Sequence, residues 1–419
     1  MKICFISDSY KPIADGVVRY FDYVIPALIA EGHEVTLVCP WYVGTKHYEY
    51  PMEGFKVVRC TTTHIQSEDY WWALPDHRML KALHSADFVV IHSLMPLGIL
   101  GGFLAKILRK KIGLFVHQDE RLILHEVLGL SQTYTNFVVT FVAKLYYPLL
   151  IDVFFHATER FKGKLLDFGV PEQKIYHTPF AINSECFHPG EPDYDLRERY
   201  GIPKDAIVSV YVGRLAKEKN VGNLLKGLDL AMEEEPNLYA LMCGGGPDWD
   251  YYSNLPRKHS ERFIFTGFVP EKELRSHYVA GDFFTSPSIN ESSCFTVFEA
   301  MSCKLPVITS AYRHDPDIIH KENAVLVKNV LSPEKIKESV LLLAQNPKLR
   351  QKIAGNGYEL VDSRSWEYHA KAFLQGVRAA FTREESRKTW KSMAQNFRKW
   401  KAEYKKKRQK KEQAKEHKV

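Results

Sequence analysis

Cysteine is scarce: Cys4, Cys39, Cys60, Cys186, Cys243, Cys294 and Cys303 are the seven in 419 residues, an odd number with no close pair. That scatter excludes a disulfide framework and a structural zinc site, and it fits a reducing compartment. Long uninterrupted apolar runs are also missing. Leu94–Leu108 is too short to span a bilayer, and Phe137–Phe155 is broken by Lys144, Pro148 and Asp152. The second stretch reads as a buried helix followed by a strand. Met1-Lys2-Ile3-Cys4-Phe5-Ile6 runs as a strand straight into a turn, without a long apolar signal core, so no secretory export is expected. Most of the chain also lacks an excess of either charge. Of 57 Lys+Arg and 50 Asp+Glu, residues 383–419 hold 15 and 5, which leaves 42 and 45 in residues 1–382. A balanced body without a basic stripe excludes a nucleic-acid-binding body.

What is there is a globular composition, 45% hydrophobic and 26% charged, on a chain long enough for two domains. The first half alternates strands and helices: a strand at Lys2–Ser7, a helix at Val18–Glu31, and strands at Glu34–Cys39, Lys56–Arg59, Phe88–His92, Ile112–His117 and Val153–Ala157. A second series runs through Ile207–Gly213, Tyr239–Gly244, Phe263–Thr266, Phe283–Pro287 and Pro306–Thr309. Apolar runs separated by helices predict parallel sheets covered on both faces. The expected fold class is therefore α/β, with two Rossmann-like domains facing across a cleft and ligands at the C-terminal ends of the strands. The expected divisions are an N-terminal acceptor domain at 1–183, a linker at 184–204 and a C-terminal donor domain at 205–365. A helix at 366–382 and a basic amphipathic tail at 383–419 complete the chain.

The chemistry concentrates in the second half. In Ser286-Pro-Ser-Ile-Asn-Glu291-Ser-Ser-Cys-Phe-Thr-Val-Phe-Glu299-Ala-Met-Ser-Cys-Lys-Leu-Pro306-Val, a strand ends in a polar loop and a helix opens near Ser293. Unpaired amides at such a helix start attract a phosphate or a sugar hydroxyl. Glu291 and Glu299, eight residues apart, can both face a cleft and accept from vicinal hydroxyls. Spacing alone fits a helix cap and a solvated face residue equally well, but the apolar company of Glu299 speaks against solvation. Val212-Gly213-Arg214-Leu215-Ala216-Lys217-Glu218-Lys219-Asn220 follows a strand and suits a diphosphate, with a planar fork at Arg214 and a mobile charge at Lys219. Gly244-Gly245-Gly246-Pro247 follows another strand and permits close backbone approach. Asp248-Trp249-Asp250 imitates a metal-binding pair but reads as a helix start, and no metal is expected.

In this order the motifs resemble those of the family 4 glycosyltransferases, retaining enzymes of the two-domain GT-B fold. The resemblance takes in Glu291-x7-Glu299 with Ala300-Met301-Ser302-Cys303 and Pro306-Val307, Gly213-Arg214…Glu218-Lys219, and Gly244-Gly245-Gly246-Pro247. Phe265-Thr266-Gly267-Phe268-Val269 and the loop Tyr10-Lys11-Pro12-Ile13-Ala14-Asp15-Gly16-Val17 extend it over about residues 1–380. It implies that Arg214 and Lys219, with the backbone of Gly16 and Gly213, neutralise a donor diphosphate. Gly244 and Gly245 would lie along the donor, and Phe268 and Val269 would meet its base. Glu299 would bind the ribose and Glu291 the transferred sugar, with the amides of Ser293, Cys294 and Phe295 on sugar or phosphate. His117 aligns with the family's active-site histidine. Catalytic roles thus fall to His117, Glu291, Arg214 and Lys219. Three positions depart from the pattern: Asp15, Cys294 and Lys304 stand where glycine is common.

The expected activity is transfer of a hexose, with retention, from a UDP- or GDP-sugar to a lipid or lipid-linked glycan, with no other cofactor. A soluble acceptor and a non-catalytic sugar-nucleotide-binding subunit are the alternatives. In the tail, Trp390, Met393, Phe397, Trp400 and Tyr404 form one apolar seam on a strip otherwise rich in Lys and Arg. That pattern suits an anionic membrane surface, although packing on the protein itself would use the same seam. The expected location is cytoplasmic, peripheral on the inner face of the cell membrane.

Overall fold

Strands buried on both faces need apolar residues at every position, and the hydrophobic runs of both halves fold in that way. The computed structural model describes residues 1–13, 15–67, 70–117, 131–289, 295–311 and 317–382. In the first domain β1 (Lys2–Ile6), β2 (Glu34–Pro40), β4 (Phe55–Cys60), β7 (Phe88–Ile91), β8 (Lys111–Val116), β9 (Val153–His156) and β10 (Ile175–His177) are parallel. β3 (Tyr48–Met52) pairs antiparallel on the edge, giving the order β10-β9-β8-β7-β1-β2-β4-β3. A small hairpin, β5 (Thr62–Ser67) with β6 (Tyr70–Ala73), stands apart.

The second domain is a six-stranded parallel sheet in the order β13-β12-β11-β14-β15-β16. Its strands are β11 (Ile207–Val212), β12 (Leu238–Cys243), β13 (Phe263–Gly267), β14 (Phe283–Ser286), β15 (Val307–Ser310) and β16 (Val325–Val327). This is the doubly wound architecture expected, once per domain. β3, β5, β6, β10 and β16 are additions to the sequence reading. The edge strand β3 is largely exposed, while β10 and β16 are three residues each, too short to show a pattern.

The first helix begins at Gly16, two residues before the expected start, because Asp15 caps it: its Oδ1 accepts from the amides of Val17 and Val18, both at 2.8 Å. The apolar stretch around residue 140 forms the helix Gln132–Leu150 followed by β9. Among the described residues no helix is long and apolar enough to cross a membrane. The segment between the domains is not a free linker. Phe187 and Ile202 sit in the core of the second domain, and Ser302 Oγ donates to the Phe187 carbonyl at 2.6 Å. The last described helix, Trp366–Thr382, leaves the second domain and buries Ala370, Phe373, Leu374, Val377 and Ala380 in the core of the first, where Phe373 meets Phe155 at 4.6 Å between ring centroids.

Candidate active site

Parallel strands deliver their C-terminal ends to one edge of a sheet, so the loops that follow them share that edge. In the second domain the loops after β13, β12, β11 and β14, four neighbours, carry Phe268, Gly244 and Gly245, Gly213 to Lys219, and the approach to residue 290. In the first domain the loop before Gly16 follows β1, while His92 and His117 follow the neighbouring strands β7 and β8. The two edges meet through side chains. Arg19, on the first turn of the first helix, reaches Glu299 at 2.7 Å and Glu271 at 2.8 Å, and Tyr23 one turn on donates to Glu271. Arg19 also lies 5.8 Å from the ring centroids of Phe187 and Phe295.

Glu299 is 1% exposed, on the helix Phe295–Ser302, and its Oε2 accepts from the Tyr278 hydroxyl at 2.7 Å. Burial raises its pKa, and Arg19 and the Tyr278 bond counter that shift. Among the described residues each carboxylate oxygen has one protein donor and still has capacity for another. The site role expected of Glu299 thus falls on a residue already held by both domains.

The loop from Gly213 to Lys219 is shaped by backbone packing. Gly244 has φ +145° and its missing Cβ leaves room for the Gly213 carbonyl, which a Cβ would meet at 1.9 Å. Its close approach is to the protein's own chain, whereas a Cβ on Gly245 would meet only Phe268, at 3.9 Å, an ordinary contact. A Cβ on Gly16 would meet nothing within 4 Å, but the amides beside it are held by Asp15. Arg214 is exposed and Lys219 half-buried; Val269 is buried, and the Phe268 ring stands 82% exposed. Asn220, in the left-handed region at φ 61°, donates to the carbonyls of Pro287 at 3.0 Å and Val330 at 2.6 Å. It ties the loop of Lys219 to the loop that leads toward Glu291. Glu291, Ser293 and Cys294 lie outside the described residues, and the described helix opens at Phe295. Asp248 occupies the N-cap position of the helix Trp249–Ser253.

His117 is buried against the first helix, with Tyr20 at 5.1 Å and Phe115 at 4.3 Å between ring centroids. Its Nε2 lies 2.6 Å from His92 Nδ1. Burial, and then the neighbouring His369, push its pKa down to about 3, so the ring is neutral at physiological pH. Arg19, Glu271, Tyr278 and His92 were not singled out by the sequence, and Asn220, which closes the basic loop motif, had no role assigned there.

Residues 14–185 match the model described as Glycosyltransferase Family 4, and residues 193–360 that described as Glycosyl transferases group 1; between them they take in most of the chain. The chain belongs to the family 4 glycosyltransferases. It is 25% identical over 406 residues to an alpha-monoglucosyldiacylglycerol synthase of Acholeplasma laidlawii, covering 84% of this chain and 93% of that one. It is 24% identical over 396 residues to a GDP-mannose-dependent alpha-mannosyltransferase of Corynebacterium glutamicum, covering 90% and 88%. Sucrose-phosphate synthase from Thermosynechococcus elongatus superposes with a TM-score of 0.69 at 18% identity, over 91% of this chain and 99% of that one. HepE of Anabaena, solved with UDP-glucose, gives 0.67 at 16% over 90% and 100%. Those superpositions show the GT-B fold in this glycosyltransferase.

Proposed function

We propose that this glycosyltransferase moves a hexose, with retention at the anomeric carbon, from a UDP- or GDP-sugar to a lipid or lipid-linked glycan at a membrane surface. One observation carries the reading of the donor site: four adjacent strand ends bring Arg214, Lys219, Gly245, Phe268 and the buried Glu299 to one edge, against the first domain. The relative named for GDP-mannose and the neighbour solved with UDP-glucose support a nucleotide-sugar donor. The relative named as a monoglucosyldiacylglycerol synthase supports a lipid acceptor, and the basic, aromatic residues 383–419 suit an anionic surface on the cytoplasmic side.

In this reading Glu299 accepts from the ribose hydroxyls and Phe268 covers the base. Arg214 and Lys219 stabilise the charge on the leaving diphosphate, the largest catalytic contribution. The bond from the anomeric carbon to the diphosphate oxygen breaks through an oxocarbenium-like state. The acceptor hydroxyl bonds to the same face, and its proton passes to that diphosphate oxygen. Glu291, Ser293 and Cys294 would hold the transferred sugar.

The test is transfer scanned across UDP-, GDP- and ADP-sugars with lipid and water-soluble acceptors, alongside Lys219→Ala. The reading expects one donor to be used with a lipid acceptor and turnover to fall at least about a hundredfold in Lys219→Ala. Full turnover in that variant overturns the donor assignment. A chain lacking residues 383–419 should lose affinity for anionic vesicles; unchanged affinity overturns the role of the tail.

A further inference from the structure

The pairing of β7 with β8 sets Ile91 opposite Leu114, so His92 comes level with Phe115, and His117, two residues further on, lies on the same face of the sheet. The two ring planes are inclined by 25° with centroids 4.9 Å apart, and the rings meet edge to edge, His92 Nδ1 lying 2.6 Å from His117 Nε2. His92 also stacks on Phe115 and meets Phe5 and Phe21 edge-on. Tyr20 from the first helix and His369 from the closing helix complete the surroundings, and the Tyr20 hydroxyl is 3.1 Å from His369 Nε2. His369 Nδ1 lies 2.7 Å from the Pro179 carbonyl, which can only accept, so this ring carries its proton on Nδ1 and takes the Tyr20 O–H on Nε2. No carboxylate bonds to any of the three imidazoles among the described residues. Burial lowers all three pKa values, and each ring has one proton at neutral pH.

Only one proton can lie between His92 and His117, and the far nitrogen of His92 decides whose it is. His92 Nε2 is sealed from solvent and has no partner among the described residues. If His117 donated across the pair, the proton of His92 would sit on that sealed nitrogen as an orphan donor, a rarer arrangement in folded proteins than an under-used acceptor. The proton of His92 therefore lies on Nδ1 and is donated to His117 Nε2. His117 then carries its own proton on Nδ1, which has no protein partner among the described residues and is not among the sealed atoms.

We propose that His92 is a positioning residue: it fixes the ring and the tautomer of His117, so that His117 offers the cleft a neutral Nδ1–H donor and not a proton acceptor. This rests on the reading of His117 as part of the transfer site. It fits a reaction in which the diphosphate oxygen takes the acceptor's proton, because an imidazole held in this form can donate to a sugar or acceptor oxygen but does not collect a proton.

The test pairs His92→Phe, which fills the space without the bond, with His92→Asn, whose Nδ2–H stands near the lost Nδ1–H. His92→Phe should lower kcat at least about tenfold while changing the donor KM by less than about threefold, and His92→Asn should recover most of the loss. In a His117→Ala background His92→Phe should cost nothing further. Equal losses in Phe and Asn, an unchanged kcat in Phe, or an undiminished loss in the His117→Ala background would each overturn the proposal. Nitrogen-15 spectra of the full histidine-labelled chain give a readout independent of turnover, and hold even where His92→Phe fails to fold. Wild-type His117 should show a pyrrole-type Nδ1 and a pyridine-type Nε2; the reverse pattern overturns the assignment. Absence of transfer from every donor, with the expected spectrum, would sink the functional reading and leave the tautomer standing.

Discussion

Truncating Arg19 would strand Glu299, a carboxylate with 1% side-chain exposure, beside Glu271 without its cation. Losing one partner of a buried pair costs more than the pair itself contributes, so Arg19→Met should destabilise the protein by roughly 3 kcal/mol at pH 7 in urea unfolding. Burial already raises the Glu299 pKa and Arg19 restrains it, so the variant raises it further. A carboxyl with a raised folded-state pKa keeps its stability below the unfolded value and loses it as pH rises through the folded one. The Arg19→Met penalty should therefore be largest at neutral pH and shrink toward pH 4.5, the ordinary value. The acid limb of kcat/KM should move to higher pH in the same variant. An equal penalty at both pH values would show that Glu299 is not the group left unpaired. Glu299 could be proposed as a site residue from the sequence because its motif is local. Arg19 was not: it lies in the other domain, and no spacing rule links the two.

At the scale of elements, Lys304 explains why glycine is common at its position. It sits just after the helix Phe295–Ser302 with φ 58°, and its amide bonds back to the Met301 carbonyl at 2.9 Å. Lys304→Gly should raise stability by about 1 kcal/mol in equilibrium unfolding, since glycine adopts that conformation without strain. Asn220→Ala removes two buried carbonyl contacts and a residue suited to the left-handed region. A loss of about 2–3 kcal/mol in thermal unfolding is expected, with a raised donor KM as the loops of Lys219 and Pro287 separate. A loss of stability with an unchanged KM would confine Asn220 to a structural role. The buried parallel strands were readable because burial on both faces demands unbroken apolar runs. β3 was not, since an exposed edge strand such as Tyr48–Met52 has no such demand placed on it. The start of the first helix was misplaced because Asp15, read as standing where glycine is common, is its cap.

The whole molecule is closed by its last described helix, which belongs to the core of the first domain although the second domain precedes it in sequence. Phe373→Ala should cost about 3–5 kcal/mol, and residues 1–183 expressed alone should be protease-sensitive because Phe5 and Phe155 lose their cover. Protection of that fragment equal to the full chain would refute the dependence. The same helix fixes where the basic tail departs. Phe381 rests against Phe88, the first residue of β7, so the chain leaves the helix near the end of the sheet opposite the cleft. Residues 383–419 number thirty-seven, which as a helix would extend ~55 Å and as a flexible coil ~35 Å on average. Either length exceeds the depth of strands four to six residues long, at ~3.3 Å per residue. A tail anchored on a bilayer would thus work as a leash, letting the cleft swing down to a headgroup without fixing its tilt.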